Sequence, residues 1–348
     1  MIRRFVVSHA AAVAAALATG VSVAAEPPPA PIRVGIIGLD TSHAPAFTKL
    51  LNDESAADHV PGTRVVAAYP QGSEDIASSV SRVPAHTEAV KGQGVEIIDS
   101  IDALLPRVDA VLLESNDGRV HLRQAAAVLA AGKPVFIDKP LAGSLADAVA
   151  IFRLARHHGT PVFSSSALRF GAATQAVRGG SLGEVVGCDT YSPCALEPTH
   201  PDLFWYGIHG CESLFTVMGT GCETVSRTTS DDVDLVTGRW RGGRLGTFRG
   251  IRRGKGGYGG TAFGANGIAP AGGFDGYRPL VVAIVEFFRS GEPPVTAAET
   301  IELYAFMEAA HESTRRGGQP VAIRTVLEPA EREAAATVAR VLAEDRSR

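Results

Sequence analysis

The chain has no excess of basic charge. Its 348 residues carry 33 Lys and Arg against 37 Asp and Glu, a formal net charge of −4. A nucleic-acid backbone is held by a basic stripe, so that class of partner is excluded. Cysteine is scarce. Four residues, Cys188, Cys194, Cys211 and Cys222, all fall within one stretch of the second half. That is too few for a disulfide-built scaffold, and the four can form two bridges in three ways or remain buried thiols. Beyond the first 25 residues no apolar run is long enough to cross a bilayer. What remains is a soluble globular composition, 45% hydrophobic and 20% charged, long enough for two cores.

The first 25 residues read as a leader. A basic "MIRR" precedes an Ala-rich apolar stretch, and small residues before Glu26 offer a cleavage site. Arg3 and Arg4 also permit twin-arginine export. The expectation is a periplasmic or secreted protein with no membrane attachment once the leader is removed. "EPPPAP", 26–31, reads as an extended linker.

Residues 32–166 alternate strand and helix. "IRVGIIG", "TRVVAAY", "VEIID", "DAVLLES", "PVFID" and "PVFSSS" are short apolar strands. "APAFTKLL", "RVHLRQAAAVLAAG" and "SLADAVAIFRLARHHG" have helical spacing between them. This alternation predicts a parallel sheet covered on both faces. From 167 to 327 the pattern becomes successive strands followed by helices, which predicts an α/β domain with an open, mostly antiparallel sheet. A glycine-rich run, 253–277, reads as a mobile loop at a domain edge. A helical tail follows, 328–348.

Two constellations carry chemistry. The first is Asp138-Lys139-Pro140 at the end of the fifth strand. A lysine there stands in the crevice where open α/β sheets bind ligands. Pro140 restricts the lysine's backbone and so aims its ammonium. Taken alone, a Lys-Pro is usually a surface turn. The second is "HPDLFWYGIHGCESLFTVMG", 200–219, where His209 and Glu212 are neighbours at a helix entrance. The bland reading of His209 is a satisfied, partly buried histidine. His200, Asp202, His209 and Glu212 offer metal-ligand types, but their spacing fits no standard zinc pattern, and no metal is assigned.

In context the first constellation resembles the Gfo/Idh/MocA (glucose-fructose oxidoreductase, inositol dehydrogenase, rhizopine catabolism) family. That family carries "N-x-x-H…aGkhV…EKPla", matched here by Asn116, His121, "AGKPVF" and Asp138-Lys139-Pro140, with a longer spacer between Asn116 and His121. The closing segment, "YRPLVVAIVEFFRSGEPPVTAAETIELYAFMEAAHESTRRGGQPV", is also similar, so the likeness spans the chain after the leader. It implies a Rossmann-type parallel-sheet domain that binds NAD or NADP and a second domain for substrate and homo-oligomer contacts. The family's "D-x-G-x-H-x-x-D" is matched by Gly207, His209 and Glu212, while Trp205 replaces the first aspartate. The resemblance implies that Lys139 stabilises a developing oxyanion and that His209, with Glu212 or Asp202 as partner, takes the hydroxyl proton. Asn116, His121 and Pro140 are implied on the cofactor side.

The opening motif departs from this pattern. "RVGIIGLDTSH" supplies Gly35 and Gly38, but Asp40 and His43 replace the later glycines of a dinucleotide fingerprint. A carboxylate about 4 Å from a diphosphate at an effective dielectric near 20 is opposed by ~4 kcal/mol. The acid that usually ends the second strand is also missing, leaving Tyr69, Pro70 and Gln71. Either Asp40 turns away to pair with His43, while Thr41, Ser42 and the helix start receive phosphate, or "DTSH" lines a pocket for a polyol. A helix cap at Ser42 or Thr41 explains the hydroxyls alone. The leading expectation is an exported oxidoreductase of a sugar, cyclitol or related carbohydrate. A non-redox lyase or hydrolase, and a carbohydrate-binding protein without chemistry, are the alternatives.

Overall fold

A computed structural model describes residues 30–345. The leader, most of the linker and the last three residues of the tail lie outside the described residues. From Pro31 onward the chain forms one compact unit built on two sheets.

The first sheet follows the predicted alternation. Its elements are β1 (Ile32–Ile37), α1 (His43–Asn52), β2 (Thr63–Tyr69), α2 (Ala77–Lys91), β3 (Glu96–Ile97), α3 (Ile101–Leu104), β4 (Ala110–Leu113), α4 (Gly118–Ala130), β5 (Val135–Asp138), α5 (Leu145–His158) and β6 (Val162–Ser165). All pairings are parallel, in the order β3-β2-β1-β4-β5-β6. The order reverses between β1 and β4, and such a reversal opens a crevice at the carboxyl ends of the strands. Strand side chains alternate between faces. Val34, Ile36, Leu112, Phe136 and Phe163 pack under Phe47 and Leu51 of α1, while Val111, Leu113, Val135 and Ile137 pack under α4 and α5. Ser144 caps α5 by accepting from the Asp147 backbone N–H, and Gly159 ends it in the left-handed region at φ 64°.

The second half contributes α6 (Ala172–Arg178), β7 (Val185–Pro193), α7 (Asp202–Trp205), α8 (Ile208–Met218), β8 (Cys222–Thr229), β9 (Val233–Trp240), β10 (Leu245–Ile251), β11 (Gly259–Gly264), β12 (Gly267–Ala271), α9 (Arg278–Ser290), α10 (Ala297–Arg315), β13 (Val321–Ala322) and α11 (Ile323–Asp345). Its seven strands run β12-β11-β7-β10-β9-β8-β13, antiparallel except for β7 beside β10. The four cysteines are buried and unpaired.

Three features depart from the sequence reading. The glycine-rich run is no loop throughout, because β11 and β12 form a hairpin on the sheet edge against β7. Gly260 sits so close to β7 that a Cβ would lie 2.3 Å from the Asp189 carbonyl, and the glycine that hides the strand pattern also permits the pairing. Secondly, α9 lies against the first sheet, not within the second domain, because Leu280, Ile284 and Phe287 join the layer of Phe47 and Phe163. Thirdly, α2 has no counterpart in the periodicity reading. It buries only Ser79 and Val90 and contains Pro84.

Candidate active site

The carboxyl ends of β1, β4 and β5 meet the start of α8 and the segment around 258–277 at a cavity of about 320 Å³. The first sheet contributes Thr41, Ser42, His43, Asn116 and Lys139. The second half contributes His209 together with Trp205, Tyr206, Tyr258, Phe274 and Tyr277. Lys139 and His209, about 70 positions apart in sequence, thus face one space.

Lys139 is 7% exposed, and its Nζ lies 3.7 Å from Asp138 Oδ2. Pro140 is buried behind it. The same Asp138 oxygen is 2.8 Å from His43 Nδ1. Burial opposes the charge on Asp138, but His43 and Lys139 beside it hold the carboxyl below its ordinary range. Below them lies Glu114, fully buried at the end of β4. Donor atoms of His43, Glu114 and Asp138 all lie within 4.8 Å of one another. Burial first, and the Asp138 charge second, push the Glu114 carboxyl well above the usual range. Of the two carboxyls Glu114 is therefore the one that holds its proton to higher pH, and the Lys139 ammonium balances Asp138.

That assignment carries a pH dependence. The native state retains a proton on Glu114 that the unfolded chain releases in the ordinary carboxyl range. The stability this contributes is present at low pH and is lost as pH rises toward the raised native value. Glu114→Gln keeps the neutral form at all pH. Its thermal midpoint is expected to fall less than that of the wild type between about pH 5 and about pH 8. Parallel pH curves for the two proteins would show that Glu114 is ionised throughout.

His209 is 8% exposed, with Nδ1 2.7 Å from Ser166 Oγ and its ring edge-on to Tyr206. Burial, and then the nearby Lys139 charge, push its pKa well down, so the ring is neutral. Glu212 is turned away from the cavity. It accepts from Ser165 Oγ at 2.5 Å, Ser166 N at 2.7 Å and Arg169 Nε at 2.8 Å. It positions Ser166, and Ser166 in turn holds His209. Asp202 is paired with Arg227 at 2.6 Å. The metal-type grouping of His200, Asp202, His209 and Glu212 is therefore dissolved, since both carboxylates are committed to arginines.

The opening motif resolves differently from either sequence alternative for Asp40. Its carboxylate is fully buried and accepts from Ser79 Oγ at 2.6 Å and Asn116 N at 2.8 Å. It pairs with α2 and the β4 end, not with His43, and burial raises its pKa. Gly38 has φ 92°, and a Cβ there would come 2.4 Å from Ser115 N, so its role is the close crossing of two strand ends. Gly35 is packed against Leu104 within β1. Ser42 makes no side-chain cap, whereas Thr41 Oγ1 accepts the His43 N–H at 3.2 Å. His121 is buried between the Ser115 and Leu141 carbonyls and ties the two loops together.

Past β2, Gln71 turns inward. Its carbonyl accepts from Leu39 N and its side chain from Gln124. Ser73 donates to Asp117, and Asp75 pairs with Arg119. The connection into α2 is thus tied across the sheet edge and brings Arg82 to the cavity. Sequence reasoning missed Arg82, Ser166, Tyr258 and Tyr277. Ser166 lay inside an assigned strand and Tyr277 at the head of the family-like closing segment, but neither had a role assigned, and Arg82 and Tyr258 carried no motif.

Residues 32–166 match the family described as "Oxidoreductase family, NAD-binding Rossmann fold". That description is the one given to the Gfo/Idh/MocA family, and the match covers the first sheet alone. The inositol 2-dehydrogenase of Cereibacter sphaeroides is 32% identical over 114 residues, 32% of this chain and 29% of that protein. The uncharacterized oxidoreductase YhhX of Escherichia coli is 32% identical over 111 residues, 28% of this chain and 32% of that protein. The matched stretch therefore spans about a third of the length of either curated relative. Scyllo-inositol dehydrogenase from Lactobacillus casei, solved with NAD(H) and scyllo-inositol, shares the fold at a TM-score of 0.67. Its identity is 16%, over 84% of this chain and 99% of that one. The likeness in fold to that solved structure spans both sheets.

Proposed function

We propose that the protein is an exported oxidoreductase that interconverts a secondary alcohol and a ketone on a cyclitol or sugar, with NAD or NADP as its cofactor. The observation that carries this reading is the convergence of Lys139 and His209 on one cavity at the strand-order reversal. The Ala-rich leader supports export. The aromatic wall suits the C–H faces of a ring polyol, and the polar floor suits its hydroxyls. Val186, Tyr191, Leu235 and Leu245 are exposed on strands of the second sheet and support a homo-oligomer. No helix among the described residues is long and apolar enough to cross a membrane.

The residues present fit a dinucleotide in their donor types. Asn116 Nδ2 is a buried donor without a partner at the cavity, Ser42 heads α1 uncapped, and Arg82 supplies a cation. These residues, with Thr41, would hold the cofactor. Asp40 is turned inward and puts no charge in its way. When bound, the cofactor supplies the hydride acceptor. Lys139 binds and polarises the reacting oxygen, and the proton that oxygen releases passes to one of the cavity histidines, His43 or His209.

The test begins with purified protein denatured for mass spectrometry, looking for released nicotinamide dinucleotide. The protein is then assayed on a panel of inositols and aldoses with each dinucleotide. Reduction of the nicotinamide by at least one polyol is the expected result. Cleavage of a carbohydrate without net nucleotide use would replace this reading with a lyase or hydrolase.

A further inference from the structure

Two imidazoles face the cavity, and their second nitrogens have unlike partners. His43 Nδ1 lies 2.8 Å from Asp138 Oδ2. An ionised carboxylate only accepts, so Nδ1 carries the proton, and in the neutral ring the lone pair is then on Nε2. The ring is held on two sides, stacked on Phe47 with centroids 5.2 Å apart and edge-on to Tyr277 at 4.7 Å. His209 has a hydroxyl partner instead. Ser166 Oγ accepts the Leu168 N–H at 3.3 Å and lies 2.7 Å from His209 Nδ1, a pairing that either tautomer of the ring can make. Among the described residues no carboxylate forms an ion pair with His209, and burial beside Lys139 disfavours its protonation.

Granting the oxidoreductase reading, we propose that His43, oriented by Asp138, and not His209, is the group that accepts the proton of the reacting hydroxyl. One carboxylate oxygen then sets both working groups. Asp138 Oδ2 faces His43 Nδ1 and Lys139 Nζ, so the imidazole and the ammonium are aimed as a unit. In the oxidative direction the carbinol C–H leaves as hydride to an oxidised nicotinamide and the O–H proton moves to His43 Nε2. The C–O bond becomes C=O, and His43 becomes imidazolium against the Asp138 carboxylate. Glu114 lies within 4.8 Å of both and holds its proton to higher pH than Asp138, which leaves Asp138 available to that cation. A histidine at the place of a fingerprint glycine is explained as part of the chemistry.

The tautomer can be read without any ligand. In the full chain labelled with ¹⁵N-histidine, His43, assigned by the loss of its signals in His43→Ala, is expected to carry its proton on Nδ1. A proton on Nε2 overturns the proposal. With the polyol and dinucleotide that turn over in the panel, His43→Ala is expected to lower kcat by about 10²–10⁴, with KM within a few-fold. Added imidazole is expected to restore part of kcat, which a merely structural loss would not allow. His43→Ala with near wild-type kcat, or imidazole rescue of His209→Ala alone, overturns it. If no member of the panel turns over, the oxidoreductase reading has failed separately, and the tautomer alone decides whether His43 is built as an acceptor.

Discussion

Lys139→Ala is expected to lower kcat for the polyol by about 10²–10³, the usual loss when one preorganised donor to a developing oxyanion is removed. The loss falls on kcat because negative charge grows on the oxygen only as the proton and hydride depart. The ammonium is 7% exposed and 3.7 Å from Asp138, so it acts where solvent screens it little. Truncation also leaves Asp138 with His43 as its remaining side-chain partner. Steady-state kinetics on the wild type and Lys139→Ala check this. A fall in kcat of less than about tenfold would show that the ammonium does not stabilise the transition state.

Arg169→Met is expected to destabilise the protein by about 3–5 kcal/mol, the range for breaking a buried ion pair by deleting one partner. Arg169 is 2% exposed and joins Glu212 at 2.8 Å to Glu299 at 2.5 Å, with Arg178 on the far side of Glu299. Methionine fills the volume but leaves Glu212 without its countercharge. Arg169→Lys is expected to recover only part of the loss, since one ammonium cannot span two carboxylates as a guanidinium fork does. Urea unfolding curves of the three proteins measure this. Because Glu212 also fixes Ser166, and Ser166 fixes His209, the same variants should raise KM for the polyol where the folded state persists.

Much of the first sheet was legible because its strands are buried on both faces and its helices carry an apolar stripe. "TRVVAAY" is β2 residue for residue, and Ser144 and Gly159 bound α5 as local chemistry requires. The hairpin of β11 and β12 was not legible, since glycines let the backbones approach while erasing the alternating pattern. Nor was α2, which is held by polar ties from Ser79 to Asp40 and has scant apolar burial. At the site, Lys139 and His209 could be singled out by motif. The inward turn of Asp40 could not, because its partners Ser79 and Asn116 are remote in sequence and carry no signature.

The alternating βα plan, the position of Lys139 at a strand end and the residue types available for acid–base work are local properties of the chain. Those follow from periodicity, capping and backbone restriction, which act over a few residues. Only the tertiary structure decided which carboxylate serves which base. Asp138 went to His43, Glu212 to Arg169 and Asp202 to Arg227. Each pairing joins distant segments, and a buried charge is stable only beside whatever countercharge the packing brings to it.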